Sequence, residues 1–384
     1  MKYCTKCVMP DTKPDLSFDQ KGVCNACRNY ENRATVNWDL REKELEQVLH
    51  KYRSKSKCDC IIPVSGGKDS TYQVVRMLEL GMHPLCVTGT TCDLSDLGRK
   101  NIQNIKNLGV DYLEFSPNPV IRRKLNKIGL TQVGDISWPE HLAIFTIPIR
   151  VAVQYAIPLI IWGENPQNEY GGPLEATRNP VLENRRWLEE FGGLLGLRIT
   201  DIVGLQGINE HDITPYIYPS ESELKKIGIT GLFLGYYLPW DGLTNALIAQ
   251  ANGFNTYHTT VEGSMVNYEN LDNYQTGIHD YFKFLKFGFG RATDIACLHL
   301  RRGRLSRNGA ISIANKLDGR FPRSYLGKSL EDILKPLDIT VDDFIHICDK
   351  FTNKKLFKID KEGNLLKDHE GNLTKLDYPK ANNA

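Results

Sequence analysis

Cys60-Ile-Ile-Pro-Val-Ser-Gly-Gly-Lys-Asp-Ser70 is the stretch of sequence that decides the fold of this chain. Its first five residues are an apolar run typical of a buried strand. The residues that follow, up to Leu80, space their apolar side chains as a helix does, and the pattern stops at Gly81. The two glycines in the middle predict a tight turn from strand to helix.

The parts of this stretch together predict a cradle for phosphate groups. The two glycines let the backbone pass close to a ligand, and the helix end adds unpaired N–H groups and the positive end of its dipole. Hydroxyls at Ser65 and Ser70 and the ammonium of Lys68 complete the set. The stretch differs from the Walker A loop, which has four residues between its first glycine and Gly-Lys-Ser/Thr. An ordinary strand-to-helix turn is the alternative.

The hexapeptide resembles the PP-loop of ATP pyrophosphatases, enzymes that cleave ATP between its α and β phosphates. This resemblance implies an ATP site formed by Ser65, Gly66, Gly67, Lys68, Asp69 and Ser70. Lys68 and Mg²⁺ would neutralise the charge that develops as pyrophosphate departs. Asp69 is expected to ligate Mg²⁺ or to brace the loop, and a first-turn acid that stabilises the helix dipole is the alternative.

Composition and charge exclude several classes of protein. With 384 residues, of which 41% are hydrophobic and 24% charged, an ordinary globular protein of two domains, or of one large domain with additions, is expected. The net charge of +2 argues against a dominant nucleic-acid surface. No apolar stretch approaches the ~20 residues that span a bilayer, and no apolar signal core is visible, so a cytoplasmic protein is expected.

From residue 58 onward, strand patterns alternate with helical patterns. Strands are predicted over 59–64, 85–91, 111–116 and 158–163, and helices over 70–80, 95–108, 118–128 and 140–156. Strands separated by helices predict a parallel sheet with right-handed crossovers, so the fold class is α/β.

Ligands of such sheets bind at the carboxyl ends of the strands, near the switch point. Thr91 closes the second predicted strand, and Gly163, Glu164 and Asn165 close the fourth. These four residues are therefore predicted to lie beside the Ser65 loop and to contact the nucleotide.

The chain is predicted to have five parts. They are a cysteine module over 1–30, a helical connector over 31–57, the PP-loop domain over 58–220, a helical substrate-binding region over 221–350 and a polar tail over 351–384. The tail contains two similar segments that begin at Asp360 and Asp368, and each is either a hairpin turn around Gly-Asn or disordered repetition.

Four cysteines near the start have the spacing of a structural zinc site. Cys4-x2-Cys7 and Cys24-x2-Cys27 are two knuckles that can close one tetrahedron of thiolates around Zn²⁺. A module this small buries too little core to fold alone, so the metal would supply the missing stability. Four unrelated thiols are one alternative. An iron–sulfur cluster is another, but PP-loop tRNA thiolases need theirs at the active site, whereas this quartet lies outside the β/α region.

Three segments together resemble the bacterial N-acetyl sugar amidotransferases. They are Tyr3-Cys4-x-x-Cys7-Val-Met-Pro-Asp-Thr-x-Pro14, Val64 to Ser70, and Lys286-Phe-Gly-Phe-Gly-Arg-Ala-Thr-Asp294. The resemblance covers nearly the whole chain up to about 350. It implies an enzyme that converts an acetamido group of a sugar into an acetamidino group, in O-antigen and pseudaminic-type pathways. Within the family, the version that acts on a nucleotide-linked diacetamido hexuronate of lipopolysaccharide is slightly closer.

Residues in the second half of the chain are expected to contact phosphate or substrate, and the resemblance favours this interpretation for the Arg291 segment. Arg291 and Asp294, three residues apart, share a helix face and with Lys286 would form a second phosphate or substrate clamp. A salt-bridged helix start is the alternative. Sugar hydroxyls would be contacted by Glu262, Tyr268 and Asp272. The histidines expected to be structural are His258, His279 and His299.

No glutaminase nucleophile is visible, since the chain has no G-x-C-x-G elbow and residue 2 is Lys. Ammonia, either free or from a separate glutaminase subunit, is therefore expected to supply the nitrogen that expels AMP from an adenylated amide.

Two rival functions stay open. One is a PP-loop tRNA-modifying enzyme of the thiolase or lysidine synthase type, which would need a broad basic face. The other is a non-catalytic zinc adaptor that binds ATP without releasing pyrophosphate.

Overall fold

The computed structural model describes residues 1–53, 57–164, 169 and 195–380. Within them, a parallel sheet is formed by β1 Cys60–Pro63, β2 Pro84–Gly89, β3 Asp111–Phe115, β4 Leu159–Trp162 and β5 Thr230–Phe233. The strand order is β3-β2-β1-β4-β5. The chain moves outward from β1 to β3 and returns on the other side of β1 with β4, so the switch point lies between β1 and β4. The predicted α/β fold with a parallel sheet is confirmed.

Helices follow the strands as the sequence pattern predicts. Those of the first half are α1 Asn25–Asn32, α2 Trp38–Tyr52, α3 Lys68–Glu79, α4 Asp96–Asn107, α5 Pro119–Ile128 and α6 Trp138–Tyr155. Their starts are set by capping side chains. Ser95 Oγ accepts a hydrogen bond from the Gly98 N–H at 2.8 Å at the start of α4, and Asn118 Oδ1 accepts one from the Val120 N–H at 3.0 Å before α5.

The sheet has a hydrophobic core on both faces, because successive side chains of a strand point to opposite sides. On one face, Ile62 packs in the same cluster as Met77 of α3 and Leu45 of α2. On the other face, Ile61 packs in the same cluster as Trp138 of α6. The predicted helical connector is thus part of the sheet's core.

The second half of the described chain is mainly helical. Its helices are α7 Glu210–Ile213, α8 Glu221–Ile227, α9 Leu234–Tyr237, α10 Gly242–Ala251, α11 Thr276–Phe287, α12 Arg291–Arg301, α13 Arg307–Leu317, α14 Leu330–Leu334 and α15 Val341–Phe351. A short antiparallel pair is formed by β6 Ser324–Tyr325 and β7 Lys328–Ser329. Edge-to-face aromatic pairs such as Phe282 with Phe344, at 5.9 Å between ring centroids, pack α11 against α15.

Two observations refine the predicted organisation. The region 221–350, which was predicted to be helical, contributes the fifth strand of the sheet. This strand, β5, pairs with β4 over four residues. The tail forms turns rather than disordered repetition. Asp360 Oδ1 accepts hydrogen bonds from the N–H groups of Glu362 and Asn364 at 2.9 and 2.8 Å. Eight residues later, Asp368 Oδ1 accepts in the same way from the N–H groups of Glu370 and Asn372. The five domain boundaries stay a prediction.

Among the described residues, no helix combines the length and the apolar character needed to cross a membrane.

Candidate functional site

A cavity of about 450 Å³ lies at the carboxyl ends of β1, β2 and β4. It therefore occupies the crevice at the switch point, where parallel sheets bind ligands. Many of the predicted site residues line it, from both halves of the chain: Ser65, Asp69, Ser70, Thr91, Gly163, Glu164, Asp272 and Arg291. Asn165, also predicted here, lies outside the described residues.

The two glycines of the loop, Gly66 and Gly67, differ in backbone conformation and in what surrounds them. Gly66 has a φ of +88°, and a Cβ there would lie 3.0 Å from the backbone nitrogen of Ile102. Gly67 has an ordinary φ of −72° and is the N-cap residue of α3, and its N–H donates to Ser65 Oγ at 3.2 Å. A Cβ on Gly67 would meet Ser65 Oγ at 3.2 Å. Gly66 is thus required by the backbone, whereas at Gly67 the backbone allows a side chain, and a Cβ there would contact only Ser65 Oγ.

Lys68 is held by carboxylates. Its side chain is 6% exposed, and its ammonium forms ion pairs with Asp69 and with Glu269 Oε1, the latter at 3.0 Å. Burial acts to lower the pKa of Lys68, but the two carboxylates outweigh it and hold the pKa well above its usual value. Asp69 Oδ1 also accepts from Asn245 Nδ2 at 2.8 Å. The predicted phosphate-binding ammonium therefore belongs to a buried ion-pair network, and it is Asp69 that lines the cavity.

Glu164 lies on the cavity wall close to this network. Burial and the negative charge of Asp69 raise the pKa of Glu164 to about 7, with Lys68 acting in the opposite direction. Two carboxyl groups that repel each other in a ligand crevice are suited to a divalent cation.

Several polar atoms of the cavity wall lack hydrogen-bond partners within the described part of the chain. They are Thr91 Oγ1, Gln73 Oε1 and Trp162 Nε1. Buried polar groups are normally paired, and an unpaired group costs free energy. The residues of the cavity wall therefore include buried polar atoms whose hydrogen-bonding capacity is unused within the described part of the chain.

The predicted clamp of Arg291, Asp294 and Lys286 is not assembled. Arg291 begins α12, lines the cavity and donates to both carboxylate oxygens of Asp280, at 2.9 and 3.2 Å. Asp294 is buried and paired with Lys283 of α11. Lys286 instead donates to the Val133 carbonyl at 2.7 Å. Spacing along one helix brings Arg291 and Asp294 to a similar face, but different partners on neighbouring elements draw their side chains apart.

The predicted sugar-contacting residues are also separated. Asp272 lines the main cavity, whereas Glu262 lines a second cavity of about 290 Å³ that shares Arg291 with the first. Tyr268 is buried, with its hydroxyl 3.4 Å from His299 Nε2.

The four cysteines of the N-terminal module form one closed cluster, and all are at most 1% exposed. The Sγ atoms of Cys7 and Cys24 are 3.8 Å apart, which matches the edge of a tetrahedron with Zn–S bonds of about 2.3 Å. Backbone N–H groups donate to these sulfurs, including Cys24 N to Cys4 Sγ at 3.2 Å. None of the four lines the cavity. The cluster therefore fits a structural metal site and not a reactive one.

Sequence reasoning missed the partners that organise the site. Glu269 and Asn245 hold Lys68 and Asp69. Glu269 stands directly after Tyr268, so the sequence held a weak signal for it, whereas nothing in the sequence distinguishes Asn245. A third group, Asp135 with His141 and His279, has its ligand-type atoms within 4.8 Å of one another. Here His279, expected to be structural, lies on the cavity wall.

Residues 262–369 match the family described as "LPS biosynthesis protein WbpG-like, C-terminal domain". Residues 262–369 are therefore similar to the C-terminal domain of that family. Over these residues the match confirms the resemblance inferred from the sequence, and the matched WbpG-like segment includes Asp272, His279 and Arg291 of the cavity wall.

Two solved structures are also similar. NMN synthetase from Francisella tularensis is 17% identical, with a TM-score of 0.28, and the alignment covers 53% of this chain and 93% of that protein. A protein described as a predicted subunit of tRNA methyltransferase from Methanocaldococcus jannaschii is 14% identical, with a TM-score of 0.26 and coverage of 65% and 91%. No curated protein matches the chain.

Proposed function

We propose that this protein is an ATP-dependent amidotransferase that converts the acetamido group of a sugar into an acetamidino group. We propose a nucleotide-linked sugar as the substrate, and lipopolysaccharide biosynthesis as the pathway. ATP would transfer AMP to the amide oxygen with release of pyrophosphate, and ammonia would then displace AMP. An amide oxygen is a poor leaving group, and attachment to AMP makes it a good one.

One observation supports this proposal above the others. A single cavity is lined both by Ser65 and Ser70 of the turn after β1 and by Asp272 and Arg291 of the WbpG-like segment. The turn that we propose to bind phosphate and the WbpG-like segment therefore both border this cavity. With about 450 Å³, this space is within the usual range of ligand pockets.

Asp69 and Glu164 are the residues that fit Mg²⁺. Both carboxyl groups line the cavity, and the charge of Asp69 contributes to the raised pKa of Glu164. Mg²⁺ bound there would neutralise phosphate charge. The loop N–H groups and α3 would hold the phosphates, and Arg291 would face the anionic part of the sugar nucleotide.

Zn²⁺ is proposed as the metal of the four-cysteine cluster, in a structural role. Ammonia is proposed to come from a separate glutaminase, because no glutaminase nucleophile is visible in the sequence.

The test incubates the purified chain with ATP, Mg²⁺, isotopically labelled ammonium and nucleotide-linked N-acetyl sugars, among them a diacetamido hexuronate. We expect AMP and pyrophosphate in equal amounts and one labelled nitrogen in the sugar product. With a heavy-oxygen label in the acetyl carbonyl, that oxygen should appear in AMP.

Release of ADP, or AMP free of the oxygen label, would contradict the adenylated intermediate. AMP formation that depends on tRNA instead of sugar would favour the tRNA-modifying alternative.

A further inference from the structure

Two imidazole rings, of His141 and His279, form part of the wall of the main cavity. The carboxylate of Asp135 contacts both rings but does not line the cavity, and Asp135 is 4% exposed. Asp135 Oδ1 is 2.8 Å from His279 Nδ1, and Asp135 Oδ2 is 3.4 Å from His141 Nδ1. The rings meet edge to face, with centroids 5.2 Å apart.

Three backbone segments fix this arrangement. His141 and His279 each occupy the first turn of a helix, α6 and α11, where the N–H of His141 donates to Ser137 O and that of His279 to Gln275 O. The Ser137 N–H donates to Asp135 Oδ1 at 2.9 Å, which holds the carboxylate in place. The group is therefore assembled by the start of two helices that are far apart in the sequence.

The charges around His279 favour its protonated form. Burial acts to lower the pKa of His279, but Asp135 and then Asp280 raise it, and Arg291 opposes them, so that the net pKa is raised. His141 is the other titratable group on the same carboxylate. The pKa of Asp135 is held far below its usual value, since the two imidazoles outweigh its burial.

The position of the Asp135 carboxylate relative to the two imidazole rings bears on whether this group carries protons or binds a metal ion. Both Nδ1 atoms face Asp135, so a metal ion held by the three side chains would lie on the carboxylate side of the rings. Each Nε2 is the nitrogen not engaged by Asp135. A carboxylate on Nδ1 of a histidine whose ring faces a substrate cavity is the arrangement that orients an imidazole for proton transfer.

We propose that His279 is the catalytic proton acceptor of the amination step, with Asp135 as its positioning residue. This inference rests on the proposed function. The ammonia nitrogen forms a bond to the activated carbon, and one of its three protons passes to Nε2 of neutral His279. The carbon–oxygen bond breaks, and its electron pair leaves on AMP. The other two protons stay on the amidinium product, and His279 releases its proton to water.

The test separates the two half-reactions. Adenylation is measured as isotope exchange between pyrophosphate and ATP, with the acetamido sugar and without ammonia. Amination is measured as ammonium-dependent amidine formation. His279→Gln should leave the exchange within about 3-fold of wild type and lower amination by about 10²-fold or more. The exposed His346 provides the matched control, and His346→Gln should change neither rate.

The pH profile supplies a second readout, at constant free ammonia. Because neutral His279 is the acceptor, the amination rate should rise with pH through the pKa of His279. Asp135→Asn removes the charge that raises this pKa, so the rise should move to lower pH. Added imidazole should restore part of the rate of His279→Ala.

Four results would overturn the inference. Two concern the rates of His279→Gln: an equal loss of both half-reactions, or an amination rate equal to that of wild type. The third is loss of the pH-dependent rise in Glu164→Gln but not in His279→Gln. The fourth is binding of Co²⁺ to the zinc-loaded protein that requires His279. Absence of amidine formation by the wild-type protein with every acetamido sugar is a different result, which rejects the proposed function together with this step.

Discussion

The cysteine cluster and the switch-point cavity both bring chemically active side chains together, but they differ in whether the polar atoms of those side chains are paired. Cys4, Cys7 and Cys24 are 0% exposed, and backbone N–H groups donate to their sulfurs. Within the described part of the chain, the residues of the cavity wall instead include buried polar atoms without hydrogen-bond partners and a carboxyl group whose pKa is raised to about 7. A closed set of ligands stabilises a fold, whereas an open set with perturbed protonation is typical of a site that binds and reacts. Whether the polar atoms are paired therefore separates the two roles better than residue type.

The largest expected effect concerns the closed cluster. Cys24→Ser should remove a zinc ligand and leave the N-terminal module without the metal that stabilises it, at a cost of several kcal/mol. Soluble protein should fall sharply, while turnover per folded molecule changes little. The measurement is metal content, soluble yield and thermal unfolding, with Cys92→Ser as the control thiol outside the cluster. Iron in place of zinc, or full yield without metal, would contradict this prediction.

The second prediction separates the two loop glycines. Gly66→Ala forces a side chain into a positive φ and against Ile102, and should cost about 1–3 kcal/mol of stability. Gly67→Val has an allowed φ and should leave the melting temperature nearly unchanged, but should weaken ATP binding by at least about 10-fold. Thermal unfolding and calorimetric titration with ATP measure the two effects. Loss of stability in Gly67→Val that equals the loss in Gly66→Ala would show that both glycines are structural.

The third prediction concerns the buried ion pair of Lys68 and Glu269. A double-mutant cycle with Lys68→Met and Glu269→Gln should give a coupling energy of about 1–3 kcal/mol in urea unfolding. The exposed pair of Lys225 and Glu221, at 3.3 Å, is the matched control and should give less than about 0.5 kcal/mol. Equal coupling in the two pairs would mean that burial adds nothing to the cavity network.

The smallest expected effect lies where the tail meets the cysteine module. Burial lowers the pKa of Lys375 to about 8, and its ammonium lies 5.5 Å from the ring centre of Tyr3. The folded state therefore disfavours the charge. Below pH 8 the wild-type protein bears this cost, and its stability should rise as the pH increases from 8 towards the usual lysine value of about 10.5.

Lys375→Met should consequently have a higher free energy of unfolding than wild type at pH 7, and the difference should narrow near pH 10. Urea unfolding at the two pH values measures this. A gap that widens with pH would show that the ammonium stabilises the fold.

Much of the architecture could be predicted because it depends on neighbouring residues. The apolar period of 60–64 and 74–80 produced β1 and α3 within about two residues of the predicted bounds, since strand and helix periods are local properties. The fifth strand was missed because Thr230–Phe233 is short and is stabilised by its pairing with β4. A short apolar run does not indicate its own partner.

The candidate site could be predicted only in part, for the same reason. Asp69 is paired with Asn245 across 176 residues, and Asp135 with His279 across 144. Such contacts depend on how the helices pack. A single histidine or asparagine in a sequence has no local property that predicts its distant partner.

The sequence by itself determined the glycine turn between β1 and α3, the thiol quartet and the order of the first four strands and their helices, because each of these follows from spacing along the chain. Only the tertiary structure decided which charged groups reach the cavity. Arg291 lines it, whereas Asp294 and Lys286, from the same quoted segment, are held by Lys283 and by a backbone carbonyl. The position of a long side chain depends on the partners that other elements bring to it, and these partners exist only after the chain has folded.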